Sequence, residues 1–253
     1  MSNAIQPILI VMTSHATKGE GGDPTGFFLS EVTHPLAVFE AAGIPVEFAS
    51  IQGGEPPVDG FDLDDETNAR YWNDAAFRER LRHTKVLAEI DPADYSAIFF
   101  AGGHGAVWDF PDNTAVHDKT RAIWERGGVV GAVCHGPAAL VNVTLSDGTL
   151  LVAGRDVAAF TDAEEDAVGL TDVVPFLLES TLAERGAKLH PAADWTAQVI
   201  TDGRLVTGRI RNRPPESGKR CATCSCPRAD PVSGARTGCL RISVRAALIR
   251  AMS

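Results

Sequence analysis

Short unbroken apolar runs alternate with amphipathic stretches along this chain. Residues 46–50 read as a strand, and residues 8–12, 97–101 and 129–133 are apolar runs too short for helices. Bounded by glycine and polar residues, they read as strands buried on both faces. Between the first two, Phe28, Val32, Pro35, Leu36 and Phe39 recur at helical spacing and Gly43 ends the pattern, predicting a helix over 26–42. Pro35 inside it predicts a kink or a late start. Strand, helix, strand in this order predicts a parallel sheet of the α/β class. Residues 51–73 read as a long loop carrying the acidic cluster Asp62, Asp64, Asp65 and Glu66, and 75–85 as a charged surface helix. Asn113 is placed to cap a helix running to Glu125. Beyond it the pattern predicts a hairpin around Asp147-Gly148, a strand over 156–160 and a helix start at Thr161-Asp162. A helix over 173–185 is closed by Gly186, and late strands follow at 187–189, 196–201 and 204–207.

The run 129–133 ends in Cys134-His135-Gly136-Pro137, and Ala138 to Val141 look helical. A cysteine on a sharp strand-to-helix turn exposes its side chain and faces the helix amides, which favour thiolate over thiol. The next backbone N–H can stabilise an oxyanion. The structural alternative is a buried packing cysteine, but Leu or Val would fill that space better. Strand ends gather on one rim of an α/β sheet, so Glu31, Gly102-Gly103-His104, Cys134-His135 and Glu165 are candidates to converge there. Taken singly, Glu31 is a helix-surface carboxylate, Glu165 a helix-start residue and His104 a loop histidine; their position relative to Cys134 raises all three.

The 253 residues are 44% hydrophobic and 22% charged, an ordinary globular composition. No apolar run reaches the ~20 residues of a membrane span, and residues 1–12 lack a secretory leader pattern, so a cytoplasmic protein is expected. The net charge of −10 is uneven. Residues 209–253 hold 10 Lys/Arg against 2 Asp/Glu, net +8, leaving −18 on residues 1–208. The acidic body argues against a nucleic-acid partner. Two parts are therefore expected, a domain over 1–208 and an atypical basic tail over 209–253, rich in Pro, Gly and Arg and partly disordered up to Leu240. Within that tail Cys221, Cys224, Cys226 and Cys239 have spacing reminiscent of zinc ligands. With a single CxxC, the favoured reading is an unselected tail such as a reading-frame change leaves. A short basic helix is predicted over 242–252.

Four ordered motifs resemble the ThiJ/PfpI superfamily of class I glutamine amidotransferase-like proteins, in its glyoxalase III and stress-chaperone branch. They are Thr25-Gly26-Phe27-Phe28-Leu29-Ser30-Glu31, Ala101-Gly102-Gly103-His104-Gly105, Ala132-Val133-Cys134-His135-Gly136-Pro137 and Phe160-Thr161-Asp162-Ala163-Glu164-Glu165. Asp202 to Gly208 also matches. The resemblance implies a flavodoxin-like three-layer sandwich with a mostly parallel sheet and a nucleophile elbow, usually dimeric. It implies Cys134 as nucleophile, His135 as its base, Glu165 as the acid orienting that histidine and Glu31 as the carboxylate beside the sulfur. Gly103, His104 and the His135 amide would form the oxyanion and substrate-binding site. The implied reaction converts methylglyoxal and related 2-oxoaldehydes to 2-hydroxy acids without glutathione, and no cofactor or active-site metal is expected. The family's usual ending after Gly208 is absent, which predicts an opened side of the pocket or sheet. Rival readings of the same cysteine are a redox sensor, a deglycase, an amidotransferase-like enzyme or a peptidase; a holdase chaperone would instead use exposed apolar surface.

Overall fold

The computed structural model describes residues 5–190, 192–209 and 244–252. Its elements in chain order begin with β1 (Ile8–Met12), β2 (Phe27–Phe28), α1 (Ser30–Ala41), β3 (Val46–Ser50), β4 (Val58–Asp59), α2 (Glu66–Trp72), α3 (Ala75–Arg82) and β5 (Lys85–Val86). They continue with β6 (Ala97–Phe100), α4 (Ala106–Asp109), α5 (Thr114–Glu125), β7 (Val129–Val133), β8 (Asp156–Val157) and α6 (Asp162–Ala167). The last are α7 (Leu178–Glu184), β9 (Lys188–Leu189), β10 (Gln198–Asp202), β11 (Leu205–Arg209) and α8 (Val244–Met252).

Seven strands form one sheet in the order β10-β11-β7-β6-β1-β3-β5. All neighbours are parallel except β10 and β11, which the Asp202-Gly203 turn makes antiparallel. The central strands β1, β6 and β7 are buried throughout, as their uninterrupted apolar character requires. Their side chains alternate between two cores. Leu9, Val11, Ile98, Phe100, Val130 and Ala132 face one layer with Ile123 and Trp124 of α5. Ile8, Ile10, Met12, Ala97, Phe99, Val129 and Val133 face the other with Val32, Leu36 and Phe39 of α1. The α/β three-layer sandwich with a mostly parallel sheet is as expected.

Several boundaries differ from the sequence reading. The expected loop over 51–73 contains β4 and α2; β4 pairs with β2 in a small parallel sheet, and Asp65 caps α2 by accepting from the Asn68 N–H at 2.8 Å. Two-residue strands and a seven-residue helix are too short to register as periodicity. Helix α1 starts at Ser30, because Phe27-Phe28 is committed to that small sheet, and it runs through Pro35 instead of starting after it. The segment expected as a hairpin holds a single antiparallel bridge, Thr144 with Leu150. The 156–160 strand is reduced to β8, the 173–185 helix to α7, and the helix expected after Cys134 is a five-residue 3-10 turn, Gly136–Leu140.

The chain's end also departs from expectation. Arg209, placed at the start of the tail, is the buried last residue of β11. Helix α8 buries Ala247, Leu248, Ala251 and Met252 against α1 and β11 while Arg245 and Arg250 face out. This covers the face of the sheet that loss of the family's usual ending was expected to open. The tail cysteines Cys221, Cys224, Cys226 and Cys239 lie outside the described residues.

Candidate active site

Cys134 follows β7 directly with φ 57°, one of two non-glycine residues in the left-handed region among those described. Such backbone costs on the order of 1–3 kcal/mol and persists only where neighbours over-determine it. Here the Cys134 N–H donates to Gly208 O at 2.8 Å, and Cys134 O accepts from the Phe160 N–H at 2.9 Å. The elbow is thus pinned between β11 and the segment leading into α6. The turn sets the sulfur between Glu31 of α1 and the adjacent His135 ring.

His135 places Nδ1 3.5 Å from Cys134 Sγ. Its Nε2 lies 2.9 Å from Glu165 Oε2. Phe160 packs against the His135 ring, centroids 4.2 Å apart and planes tilted by 33°. A thiol, an imidazole and a carboxylate are therefore in line, the order that an activated nucleophile needs. Burial and the nearby His104 lower the His135 pKa to about 4, so the imidazole is neutral at neutral pH. Burial alone would push Glu165 upward, but its hydrogen bonds with His104 and His135 hold it at about 2.

Glu31 comes from the first turn of α1 and is fully buried. Its Oε2 accepts from the Gly102 N–H at 2.6 Å, and the carboxyl is hydrogen-bonded to the Cys134 thiol. Burial outweighs both bonds and raises its pKa to about 8. Gly102 has to be glycine for this approach, since a Cβ there would lie 2.5 Å from Glu31 Oε2 and 2.6 Å from Val133 O. Gly103, with φ 100°, continues the same tight loop beside the elbow.

One expectation is corrected. The thiol is not activated by helix amides. Its pKa is raised well above the ordinary value, chiefly by burial and then by the Glu31 charge, and the His135 backbone N–H opposes this only in part. A five-residue 3-10 turn carries little dipole, and Cys134 is only 4% exposed, not presented to solvent. His104, expected in the oxyanion and substrate-binding site, engages its Nε2 with Glu165. That atom lies 3.0 Å from Glu165 Oε1, so two histidines share one carboxylate.

The DJ-1/PfpI family matches residues 24–222. The chain belongs to this family. Among its DJ-1/PfpI relatives, "Glyoxalase 3" of Candida albicans is 32% identical over 214 residues, 79% of this chain and 90% of that protein. "Glutathione-independent glyoxalase HSP31" of Saccharomyces cerevisiae is 33% identical over 218 residues, 81% of this chain and 92% of that protein. The crystal structure of glyoxalase III from Candida albicans superposes with a TM-score of 0.74 at 30% identity, covering 81% of this chain and 90% of that one. Rapid Encystment Protein 24 kDa of Francisella tularensis gives a TM-score of 0.79 at 39% identity, covering 82% and 93%.

Sequence reasoning missed one layer of this DJ-1/PfpI site. Glu164, beside Glu165, is buried and forms an ion pair with Arg209 at 3.0 Å. Its Oε1 accepts from the Trp195 N–H at 2.8 Å, and Trp195 is the second left-handed residue, its ring edge-on to Phe160. The adjacent glutamates were visible in the sequence; nothing there pointed to Arg209 or Trp195 as their partners.

Proposed function

We propose that this protein is a glutathione-independent glyoxalase of the glyoxalase III type, converting methylglyoxal and similar small 2-oxoaldehydes to 2-hydroxy acids. The observation that carries this reading is the strained Cys134 elbow with a neutral base on one side and a protonatable carboxyl on the other. The names of relatives matched over nine-tenths of their length point to the same chemistry.

His135 Nδ1 takes the Cys134 proton as the sulfur adds to the aldehyde carbon, giving a hemithioacetal. Because the thiol is not ionised beforehand, addition and proton transfer are concerted. Glu31, protonated at neutral pH, gives its proton to the forming oxyanion. As a carboxylate it then takes the C1 proton while the His135 imidazolium protonates the C2 oxygen, giving an enediol. Glu31 delivers its proton to C2 and recovers one from the C1 hydroxyl, leaving a thioester at C1, a hydroxyl at C2 and a neutral His135. Water hydrolyses the thioester with His135 as base, releasing lactate and the thiol, so the net change is addition of one water. A group with a pKa of about 8 suits both halves of Glu31's task. Glu165 keeps the imidazole in the tautomer that leaves Nδ1 open.

A raised, buried thiol argues against the redox-sensor reading, which needs an accessible thiolate. The test is lactate formation from methylglyoxal without glutathione, by wild type and Cys134→Ser, with suppression of client aggregation followed in parallel. Lactate produced by wild type alone supports the enzyme. Background rates in wild type, or equal rates in both, would refute it. The proposal includes a homodimer, checked by sedimentation of the full chain. Among the described residues no helix is long and apolar enough to cross a membrane.

A further inference from the structure

We propose that His104, His135 and Glu165 form a binding site for a divalent transition-metal ion of the zinc class, and that the occupied site is catalytically silent. Three separate segments supply the ligands: the loop after β6, the elbow after β7 and helix α6. Both imidazoles direct Nε2 at the one carboxylate, at 3.0 and 2.9 Å. The three ligand atoms all lie within 4.8 Å of one another. A tetrahedral ion with bonds of about 2.0–2.1 Å holds its ligand atoms roughly 3.3 Å apart, so closing the widest separation by about 1.5 Å at most replaces the hydrogen bonds by metal bonds.

The surroundings favour this. The rings are held in place before any ion arrives: His135 packs at a tilt against Phe160, and the His104 ring lies 4.2 Å from that of His135 and edge-on to Phe160. The donor set of two imidazoles and a carboxylate selects zinc, cobalt, nickel or copper over magnesium or calcium. Three protein ligands leave a fourth position for water, on the side where His104 retains 16% exposure.

Silencing follows from the tautomer. As a base, His135 carries its proton on Nε2, toward Glu165, and accepts at Nδ1 from Cys134. A metal on Nε2 moves that proton to Nδ1, which then donates toward the sulfur and cannot take the thiol proton. No electron transfer and no net proton release are required. Glu165 likewise cannot hold both the ion and the catalytic tautomer.

So that no tail cysteine can contribute a ligand, the test uses the full chain with Cys221, Cys224, Cys226 and Cys239 replaced by serine. After dialysis against a chelator, Zn²⁺ is titrated calorimetrically and Co²⁺ by visible absorption. One ion per chain is expected, with weak d–d bands and no thiolate charge-transfer band. Binding should survive Cys134→Ser. In His104→Gln and Glu165→Gln it should weaken by more than the ~10–100-fold typical of losing an outer-shell partner. X-ray absorption of the zinc-loaded protein needs no site variant, so it decides even if those variants fold poorly; two imidazoles with only N/O neighbours are expected. No binding, binding untouched by His104→Gln, or a sulfur neighbour would each overturn the site.

Discussion

Glu31 and Cys134 titrate as a pair: after burial, the Glu31 charge raises the thiol pKa, while the hydrogen bond from Cys134 lowers that of Glu31 against the larger effect of its own burial. At neutral pH the pair holds both protons, and loss of the Glu31 proton near pH 8 puts a carboxylate against the sulfur. On the proposed mechanism, in which Glu31 acts first as an acid, rates under kcat/KM conditions are expected to fall as pH rises through about 8. Replacing Glu31 by Gln should remove that limb and lower turnover by about 10²–10⁴-fold, the usual worth of a positioned acid–base group. The same substitution removes the negative charge beside the sulfur, so the thiol pKa should move down. Iodoacetamide alkylation of Cys134 against pH reads this directly; a midpoint moving up in Glu31→Gln would contradict the shared-proton account.

Helix α6 has six residues, too few to be stable by itself, yet it carries Glu165. Its position comes from its ends. Thr161 and Glu164 form a capping box, with the Glu164 N–H donating to Thr161 Oγ1 at 3.1 Å and the Thr161 N–H to Glu164 Oε2 at 3.0 Å. Arg209 then neutralises Glu164 from the end of β11. Arg209→Met leaves a buried carboxylate without its counter-charge, and chemical denaturation should register a loss of about 3–5 kcal/mol. Glu164 also contributes to raising the Cys134 pKa, so the variant's alkylation midpoint should rise. Adding Glu164→Gln should recover part of both losses, the coupling expected of a direct pair. Full additivity of the two substitutions would show that Arg209 does not act through Glu164.

Across the whole molecule, α8 closes a core that the strands leave open. Leu248 is fully buried and sits over Gly131 of β7, where an added Cβ would lie 3.0 Å from the leucine side chain. Leu248→Ala should cost about 2–5 kcal/mol by denaturation, and a negligible change would mean that α8 is not docked in solution. On the opposite layer Asp109 ties α4 to the segment after β1, accepting from Thr13 Oγ1 at 2.8 Å and from the Ser14 N–H at 2.7 Å. Burial outweighs these bonds and raises its pKa from 3.8 to about 6. The folded state therefore binds the proton more tightly than the unfolded chain. Its contribution is complete below pH 4 and is lost as pH rises through 6, by about 3 kcal/mol. The difference in unfolding free energy between wild type and Asp109→Asn should follow that sign between pH 4 and 7.

The sequence by itself determined the class of fold, the elbow and which residues meet there. Apolar runs as long as β1, β6 and β7 have one stable arrangement, and Cys134, His135, Glu31 and Glu165 all stand at strand ends or helix starts that such a sheet brings to one rim. Only the tertiary structure decided how those residues are charged and what holds them. Burial reversed the expected thiol activation at Cys134, placed a proton on Glu31, and gave Glu165 a second histidine. It also recruited Arg209 and α8, which the local pattern assigned to a tail. The physical reason is range. Helix and strand periods are set by neighbours a few residues apart, whereas desolvation, ion pairing and the covering of an exposed face depend on atoms that meet only after the chain has closed on itself.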